Sequence, residues 1–459
     1  MPIPSVAGAT TMQPFGSGTR TAADRGRLAQ SPHVARRSFL AAVPVGGLAA
    51  TAGNVPRRVV GADAGRTIRV AVVGLGRGMG HVQTLLKIPG VQIAHLAEVD
   101  PQRLSLAMKA VAAAGAPTPQ GAKDFRAALD DSTLDAVFFA LPNYWHTPAS
   151  LLALQAGKHV YVEKPGSQNP REAEMLVAAA RQYGRLVQMG NQRRTWMKDA
   201  IAALHAGAIG TVRFGRGFYY GARGPVAPRD RKLPEGLDLD LWQGPVPDDP
   251  QHDIRSLIHY DWHWFWHWGN GELGNNGVHY LDILRWGLKA DHPLRVTYTG
   301  GRYWHDDLQE TPDTATAAYD FGHAGCEWVQ SSCHARRAEK PPAEIVFYGD
   351  AGTMAVHRDS WTVYDQAGAE AATGTSSVAG SGDLSHMSNF IAAIRGEAEL
   401  NSPIDEGQKS AMLCHLGNIA YRTDTVVRCD PRTGAVLDNP AAQRLWGRPS
   451  YRAGWVVRV

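Results

Sequence analysis

Residues 68–80 read IRVAVVGLGRGMG. A short apolar strand runs straight into a glycine-rich turn, and a helical pattern follows from His81 to about Lys87. Such a turn leaves backbone N–H groups unpaired at a helix N-terminus, where they can hold a pyrophosphate. Gly74 permits the tight turn and Gly76 lets the backbone approach the phosphates, with Arg77 and Gly78 next in the loop. In G-x-G-x-x-G the third glycine falls at position 79, but Met79 stands there, between Gly78 and Gly80. By itself the stretch fits a dinucleotide site or a plain strand–turn–helix of an α/β core, so the surrounding chain has to decide.

Downstream, residues 91–99 (VQIAHLAEV) read as a second strand closed by Glu98. Glu98 lies near the distance from the first glycine at which a carboxylate binds the adenine ribose diol. Asp100 is a neighbouring candidate, and a solvated strand-end charge is the alternative for Glu98. A carboxylate there repels a 2′-phosphate and favours NAD, whereas Arg103 nearby keeps NADP open. Residues 104–114 are helical in pattern, and 134–141 (LDAVFFAL) form a strand ending at Leu141. Pro142 forces a loop, which places Asn143 and His146 beyond a strand's carboxyl end, where ligands lie in open parallel sheets. A helix over 147–156, a strand over 158–163 ending in Glu163-Lys164-Pro165, a helix opened by Asn169-Pro170 and a strand over 185–189 follow. This alternation predicts a doubly wound parallel sheet.

Past residue 190 the character changes. Alternating strands are expected over 212–220, 294–299, 314–321, 326–332, 343–348, 353–357 and 360–364, with few helices between them, which predicts a mostly antiparallel sheet. Residues 366–383 read as a loop, 277–288, 384–395 and 408–424 as helices, and the last thirty residues as irregular. The fold class is therefore α/β: an N-terminal Rossmann domain (67–190) and a C-terminal α+β domain on an open, mostly antiparallel sheet (191–459).

The preceding 66 residues are of another kind. Residues 1–35 have the composition of a disordered arm. Arg36-Arg37 then precedes a short, weakly apolar run to about Ala52, which resembles a twin-arginine export signal with a cleavage site near Ala50-Thr51-Ala52. A disordered basic tail is the alternative, and Met12 is a candidate start. The run is too short for a membrane span, so none is expected after signal removal. Of 459 residues 44% are hydrophobic and 20% charged, with a net charge of +4, part of it in the arm. That excludes a basic field for nucleic acid. The four cysteines show no C-x-x-C pair or zinc spacing. Cys326 and Cys333, in one apparent strand, point to opposite faces. Free thiols and no metal are expected.

Taken together, GLGRG (74–78), the 141–165 segment ending in EKP, GNQRR (190–194), GAIGTV (207–212) and GNGELGNNGVHYLDILRW (269–286) resemble the Gfo/Idh/MocA family, named for glucose–fructose oxidoreductase and inositol dehydrogenase. The resemblance covers roughly residues 68–459, and the tail resembles that of a bacterial subgroup often carrying twin-arginine signals. It implies a Rossmann domain with a second α/β domain, NAD or NADP as cofactor, and a lysine at position 164 that contacts substrate and nicotinamide.

Hydride transfer from a sugar carbon needs a held cofactor, a C–H facing the nicotinamide and a base for the hydroxyl proton. Burial and a cationic nicotinamide would both lower the pKa of Lys164. The family pattern G-x-x-x-D-x-G-x-H-x-x-D aligns with Gly271, Asn275, Gly277, His279 and Asp282, so Asn275 replaces the first Asp. Asn cannot exchange a proton at neutral pH. His279 is then the candidate general base, against a packed, satisfied histidine. Asp282, on the same helical face, could orient it or serve structure. His146 and Gln192 occupy positions near nicotinamide or substrate, with structural alternatives. Trp262 and Trp264, in a dense aromatic run, suit a sugar face or a core plug. Arg193 and Arg194 suit an anionic substrate or salt links.

The leading expectation is an exported NAD(P)-dependent oxidoreductase acting on a sugar, glycoside or polyol, with a tightly bound cofactor loaded before export, a periplasmic location and a homo-oligomeric state. Cytoplasmic residence is the alternative location. The runner-up is an NAD-dependent glycoside hydrolase or lyase working by oxidation, elimination and reduction, as family 109 glycosidases do. A sugar-binding protein with a relict nucleotide site is the third.

Overall fold

A computed structural model describes residues 65–226, 232–335, 343–378 and 382–455. The twin-arginine segment lies outside these residues. The opening stretch forms β1 (Ile68–Val73) and α1 (Gly78–Leu85). It is followed by β2 (Val91–Ala97), α2 (Pro101–Ala113), β3 (Gln120–Ala122), α3 (Arg126–Leu129), β4 (Ala136–Phe139), α4 (Asn143–Gln155), β5 (His159–Val162), α5 (Pro170–Gln182) and β6 (Val187–Met189). The strands are parallel, in the order β3-β2-β1-β4-β5-β6. Helices cover both faces, so β1 and β4 are buried nearly throughout, as parallel strands require. The strand order reverses between β1 and β4, which opens a crevice at their carboxyl ends.

Two helices start earlier than their apolar spacing suggests. Helix α2 begins at Pro101, not at residue 104, because Asp100 accepts a hydrogen bond from the Gln102 N–H and Pro101 takes the first helical position. Helix α4 begins at Asn143 rather than 147, so Asn143 and His146 lie in its first turns and not in a loop. Pro142 is its extended N-cap, and Pro148 lies inside it. A proline there leaves the carbonyl four residues back without its usual donor. That carbonyl belongs to Tyr144, and it accepts from Arg448 Nη2 at 2.9 Å. Arg448 Nε also reaches Oε1 of the fully buried Glu172 on α5 at 2.5 Å, beside Tyr451 Oη at 3.0 Å. The C-terminal tail is thus tied to the first sheet's helices. Arg448→Ala should cost about 2–3 kcal/mol, read as a lower urea midpoint, because it takes the donor from the Tyr144 carbonyl and the matching charge from buried Glu172.

Helices α6 (Arg193–Trp196) and α7 (Lys198–His205) lead to the second sheet. Its strands are β7 (Val212–Tyr220), β8 (Arg295–Gly301), β9 (Thr314–Asp320), β10 (Gly325–Ser331), β11 (Ile345–Gly349), β12 (Thr353–Val356), β13 (Ser360–Tyr364), β14 (Glu370–Thr375), β15 (Val427–Cys429) and β16 (Val436–Leu437), in the order β14-β13-β12-β11-β7-β10-β9-β8-β15-β16. Neighbours are antiparallel except β7 and β10, which run parallel. Strand β14 lies where a loop was expected. It is an exposed end strand with no buried face, so it carries no apolar alternation. The short β16 likewise falls in the tail expected to be irregular.

Helices α8 (Leu239–Gln243), α9 (Ile254–Leu257), α10 (Val278–Gly287), α11 (Gly382–Ile394) and α12 (Ile404–Thr423) complete the core. Helix α10 lies on β7, close enough that a Cβ on Gly215 would come within 2.6 Å of Leu284 Cδ2. Helix α12 is buried on almost every side, and Ser410 and Cys414 sit in its interior. All four cysteines are free thiols.

Candidate active site

A cleft of about 650 Å3 opens at the carboxyl ends of β1, β2, β4 and β5. One end is the glycine turn. Gly74 has φ +80°, and a Cβ on it would lie 2.6 Å from the Ala140 carbonyl oxygen. The close helix–strand approach of a third glycine is made by Gly78, where a Cβ would meet Val72 Cγ1 at 3.3 Å and Ala140 Cβ at 3.5 Å. Met79 can therefore point away into the apolar cluster around Val82 and Leu85. Helix α1 has no side-chain cap, which leaves its first N–H groups for a ligand. Glu98 lines the same end. Its Oε2 accepts from the Leu75 N–H at 2.6 Å and its Oε1 from the Asp100 N–H at 3.1 Å. Burial pushes its carboxyl pKa up. Each oxygen keeps a lone pair for a diol. Arg103 stands over Gly76, its Nη1 2.9 Å from where a Cβ would be. Asp100 is a correction: it caps α2 and meets His259 Nε2 at 3.1 Å, off the cleft wall.

Leu141, Asn143, Glu163 and Lys164 line the other end, with Asn275 and Trp262. Asn143 Nδ2 donates to Asn270 Oδ1 at 2.9 Å. Glu163 Oε1 lies 2.9 Å from His81 Nε2 and 3.4 Å from Arg77 Nε. Burial disfavours its charge, yet the His81 hydrogen bond and the charges of Arg77 and Lys164 outweigh that and hold it well below the usual carboxylate range. His81 was no sequence candidate. Its signal was a histidine on the buried stripe of α1, one turn before Leu85. Gln192 backs Glu163 from behind at 3.4 Å and does not line the cleft.

Lys164 Nζ donates to the Asn275 carbonyl at 2.6 Å and to Asn275 Oδ1 at 2.9 Å. Burial lowers its pKa, opposed by Glu163 and Glu272. Asn275 sits in a π-helical turn, Leu273–Gly277, that runs into α10. Sequence spacing gave no sign of this turn, a feature frequent at functional sites. His279 is close enough that Lys164 and Arg193 act on it electrostatically. Burial first, then those charges, push its pKa well below 6.5. It is half-buried and does not itself line the cleft, and its Nδ1 has no hydrogen-bond partner among the described residues.

Four other candidates are corrected. Asp282 is fully buried, with Arg194 Nε 2.9 Å from both its oxygens and Ser410 Oγ at 2.6 Å. It does not line the cleft, and its charge is matched by Arg194, as a buried carboxylate needs. His146 is buried with Nε2 2.8 Å from the Leu141 carbonyl, and burial lowers its pKa to about 4. Trp264 is a core residue beneath Arg223, whose guanidinium lies 4.5 Å over its ring. Arg193 is ion-paired with Glu344 and stacked on Tyr280. Trp262 joins both roles: buried against Tyr144, it still shows the cleft an edge. Arg223, Glu272, Tyr260 and His263 were not foreseen: Tyr260, His263 and Glu272 share one aromatic-rich stretch, and the partner that meets Glu272 and Tyr260, Arg223, comes from just past β7. Among the described residues no cluster of His, Cys, Asp or Glu could hold a metal, and no helix is long and apolar enough to cross a membrane.

The family model described as an oxidoreductase family with an NAD-binding Rossmann fold matches residues 68–191, and that of its C-terminal alpha/beta domain matches 209–331. The chain belongs to the Gfo/Idh/MocA family. A glycosyl hydrolase family 109 protein of Saccharopolyspora erythraea is 34% identical over 164 residues, which are 34% of this chain and 36% of that protein. The chain thus matches only about a third of that relative's length. Among solved structures, the WlbA dehydrogenase from Bordetella pertussis, in complex with NADH and UDP-GlcNAcA, has a TM-score of 0.60 at 19% identity, over 80% of this chain and 99% of that one. The aldose-aldose oxidoreductase from Caulobacter crescentus, complexed with glycerol, has a TM-score of 0.60 at 20% identity, over 79% and 100%. At such identities the likeness is one of fold.

This Gfo/Idh/MocA chain offers a direct test of its turn. Gly74→Ala forces a Cβ into the Ala140 carbonyl at positive φ, and should weaken NADH binding by roughly tenfold or more, measured by fluorescence titration.

Proposed function

We propose that this protein is an NAD-dependent oxidoreductase acting on a sugar, glycoside or polyol by hydride transfer. One observation carries it: a single cleft has the glycine turn and Glu98 at one end and the Lys164 ammonium at the other. The bare backbone at Gly74 and Gly76, the uncapped start of α1 and the free lone pairs of Glu98 fit a dinucleotide. Bound NAD would supply the hydride acceptor or donor. Glu98 holds the adenine ribose diol and disfavours a 2′-phosphate. Lys164 Nζ, already turned into the cleft by Asn275, donates to a substrate hydroxyl and aligns its carbon. His279, outside the cleft lining but within electrostatic reach of Lys164 and neutral at physiological pH, is the base we assign to the hydroxyl proton.

A base works only unprotonated, so activity should persist as pH falls through 6.5 and fail only below it, where the buried imidazole finally charges. His279→Gln should remove that acid limb from the profile of kcat/KM; an unchanged limb would reassign the base.

Asn275 and the family 109 relative support a second possibility, transient oxidation within a glycoside-cleaving cycle. Incubation with an aryl glycoside separates them. NADH accumulation supports the dehydrogenase, and phenol release without net NADH supports the glycosidase. The Arg36-Arg37 pair supports export as a folded protein with its cofactor aboard. We assign residues 67–190 to nucleotide binding and 191–459 to substrate. Mass spectrometry of nucleotide released on denaturing native protein tests the whole proposal; protein free of nucleotide and unable to bind NADH would end it.

A further inference from the structure

The family pattern places a carboxylate at position 275, and this chain has Asn275 there. A carboxylate lies one helical turn earlier. Glu272, the last residue before the π-helical turn, is 1% exposed. Its Oε2 accepts from Arg223 Nε at 2.6 Å and its Oε1 from Arg223 Nη2 at 3.1 Å. The same Oε1 accepts from Asn275 Nδ2 at 3.4 Å and from Asn276 Nδ2. Asn275 then turns Oδ1 to Lys164 Nζ, 2.9 Å away. A carboxylate only accepts and an ammonium only donates. The amide between them therefore has one consistent orientation, NH2 toward Glu272 and oxygen toward Lys164. Rotated by half a turn, it would face donor to donor and acceptor to acceptor.

We propose that Glu272 is a positioning residue of this site: it fixes the Asn275 amide and, through it, holds the Lys164 ammonium at the cleft wall as a donor to the substrate hydroxyl. This rests on the role given to Lys164 above. Glu272 also supplies the negative charge that Asn275 lacks. Burial lowers the Lys164 pKa, Glu163 and Glu272 raise it, and Arg77 and Arg223 lower it. The imidazoles of His146, His263 and His279 are all kept neutral by burial, so they add no opposing charge above pH 7. Without Glu272, Lys164 would keep one nearby carboxylate against two guanidiniums, and the Asn275 amide would be free to turn.

The first readout needs neither cofactor nor substrate. Cyanate carbamylates the neutral form of a lysine, so the rate at Lys164, followed against pH by mass spectrometry of its peptide, reports that lysine's titration. In Glu272→Gln the midpoint should fall by about one pH unit. In the Glu272→Gln/Asn275→Asp double variant it should return toward the starting value, because the new carboxylate stands directly against the ammonium. An unmoved midpoint in E272Q overturns the proposal. E272Q should also lower kcat about tenfold with the KM for NAD unchanged. A shifted midpoint with undiminished turnover would mean that Glu272 sets the lysine's state but Lys164 does not serve the reaction, so the functional assignment fails instead. Should E272Q not fold, Glu272→Asp carries the test. It keeps the charge but withdraws it from Asn275, so the midpoint should hold while kcat falls; wild-type turnover in E272D overturns the proposal.

Discussion

Replacing Lys164 by methionine is expected to lower kcat by roughly 10²–10⁴-fold, the usual contribution of a positioned proton-handling group, while NADH still binds. Lys164 follows two residues after the end of β5, and β5 lies between β4 and β6, buried from Val160 to Val162, so its backbone has little freedom. Its ammonium is fixed by two oxygens of one residue, at 2.6 and 2.9 Å. Methionine keeps the length and apolar stem but cannot donate. Arginine would keep the charge, yet its planar fork cannot meet two oxygens of Asn275 from the same point, so K164R should also be impaired. The glycine turn and Glu98, at the other end of the cleft, are untouched. The measurements are initial rates with the substrate the wild-type chain turns over, and NADH fluorescence titration. Full kcat in K164M would remove this residue from the chemistry. The alkaline side carries a second sign. The donor must be protonated, so activity should fall as pH rises through a lysine pKa lying below 10.5.

Arg194→Met should destabilise the fold by about 3–5 kcal/mol, the cost of leaving a buried charge without its partner. Asp282 has no exposed surface, and Arg194 meets both its oxygens at 2.9 Å. Among the described residues only Ser410 would remain as its side-chain donor. The guanidinium also lies 5.0 Å over the Trp286 ring and 3.6 Å from Glu406. One arginine thus joins α6, α10 and α12. Removing both charges, as Arg194→Met with Asp282→Leu, should cost far less than removing one, because no uncompensated carboxylate is left. Urea unfolding of the two single variants and the double variant measures the difference. Additive losses would mean that the pair is not coupled.

Five of the six strands of the first sheet were legible because their determinants are local, whereas β3, short and largely exposed, was not expected. A strand buried on both faces shows as an apolar run, and a glycine turn at its end shows as glycines. The helix starts at Pro101 and Asn143 were misplaced for an equally local reason: capping and proline chemistry overrode apolar spacing. Pro148 could enter α4 only because Arg448, 300 residues on in sequence, supplies a donor to the carbonyl it orphans. Strand β14 left no trace since it buries neither face.

Sequence by itself determined the two-part α/β architecture, the family, the glycine turn and the Glu163-Lys164 pair, because period, turn residues and contiguous motifs are all written within a few residues of one another. Tertiary structure alone decided which polar groups face the cleft. It took Asp282, His146 and Trp264 into the core, passed the third-glycine role to Gly78, and brought His81 under Glu163 and Glu272 behind Asn275. A charged or polar side chain looks the same in sequence whether it awaits a substrate or neutralises a partner. Only the three-dimensional arrangement shows which charges are already matched.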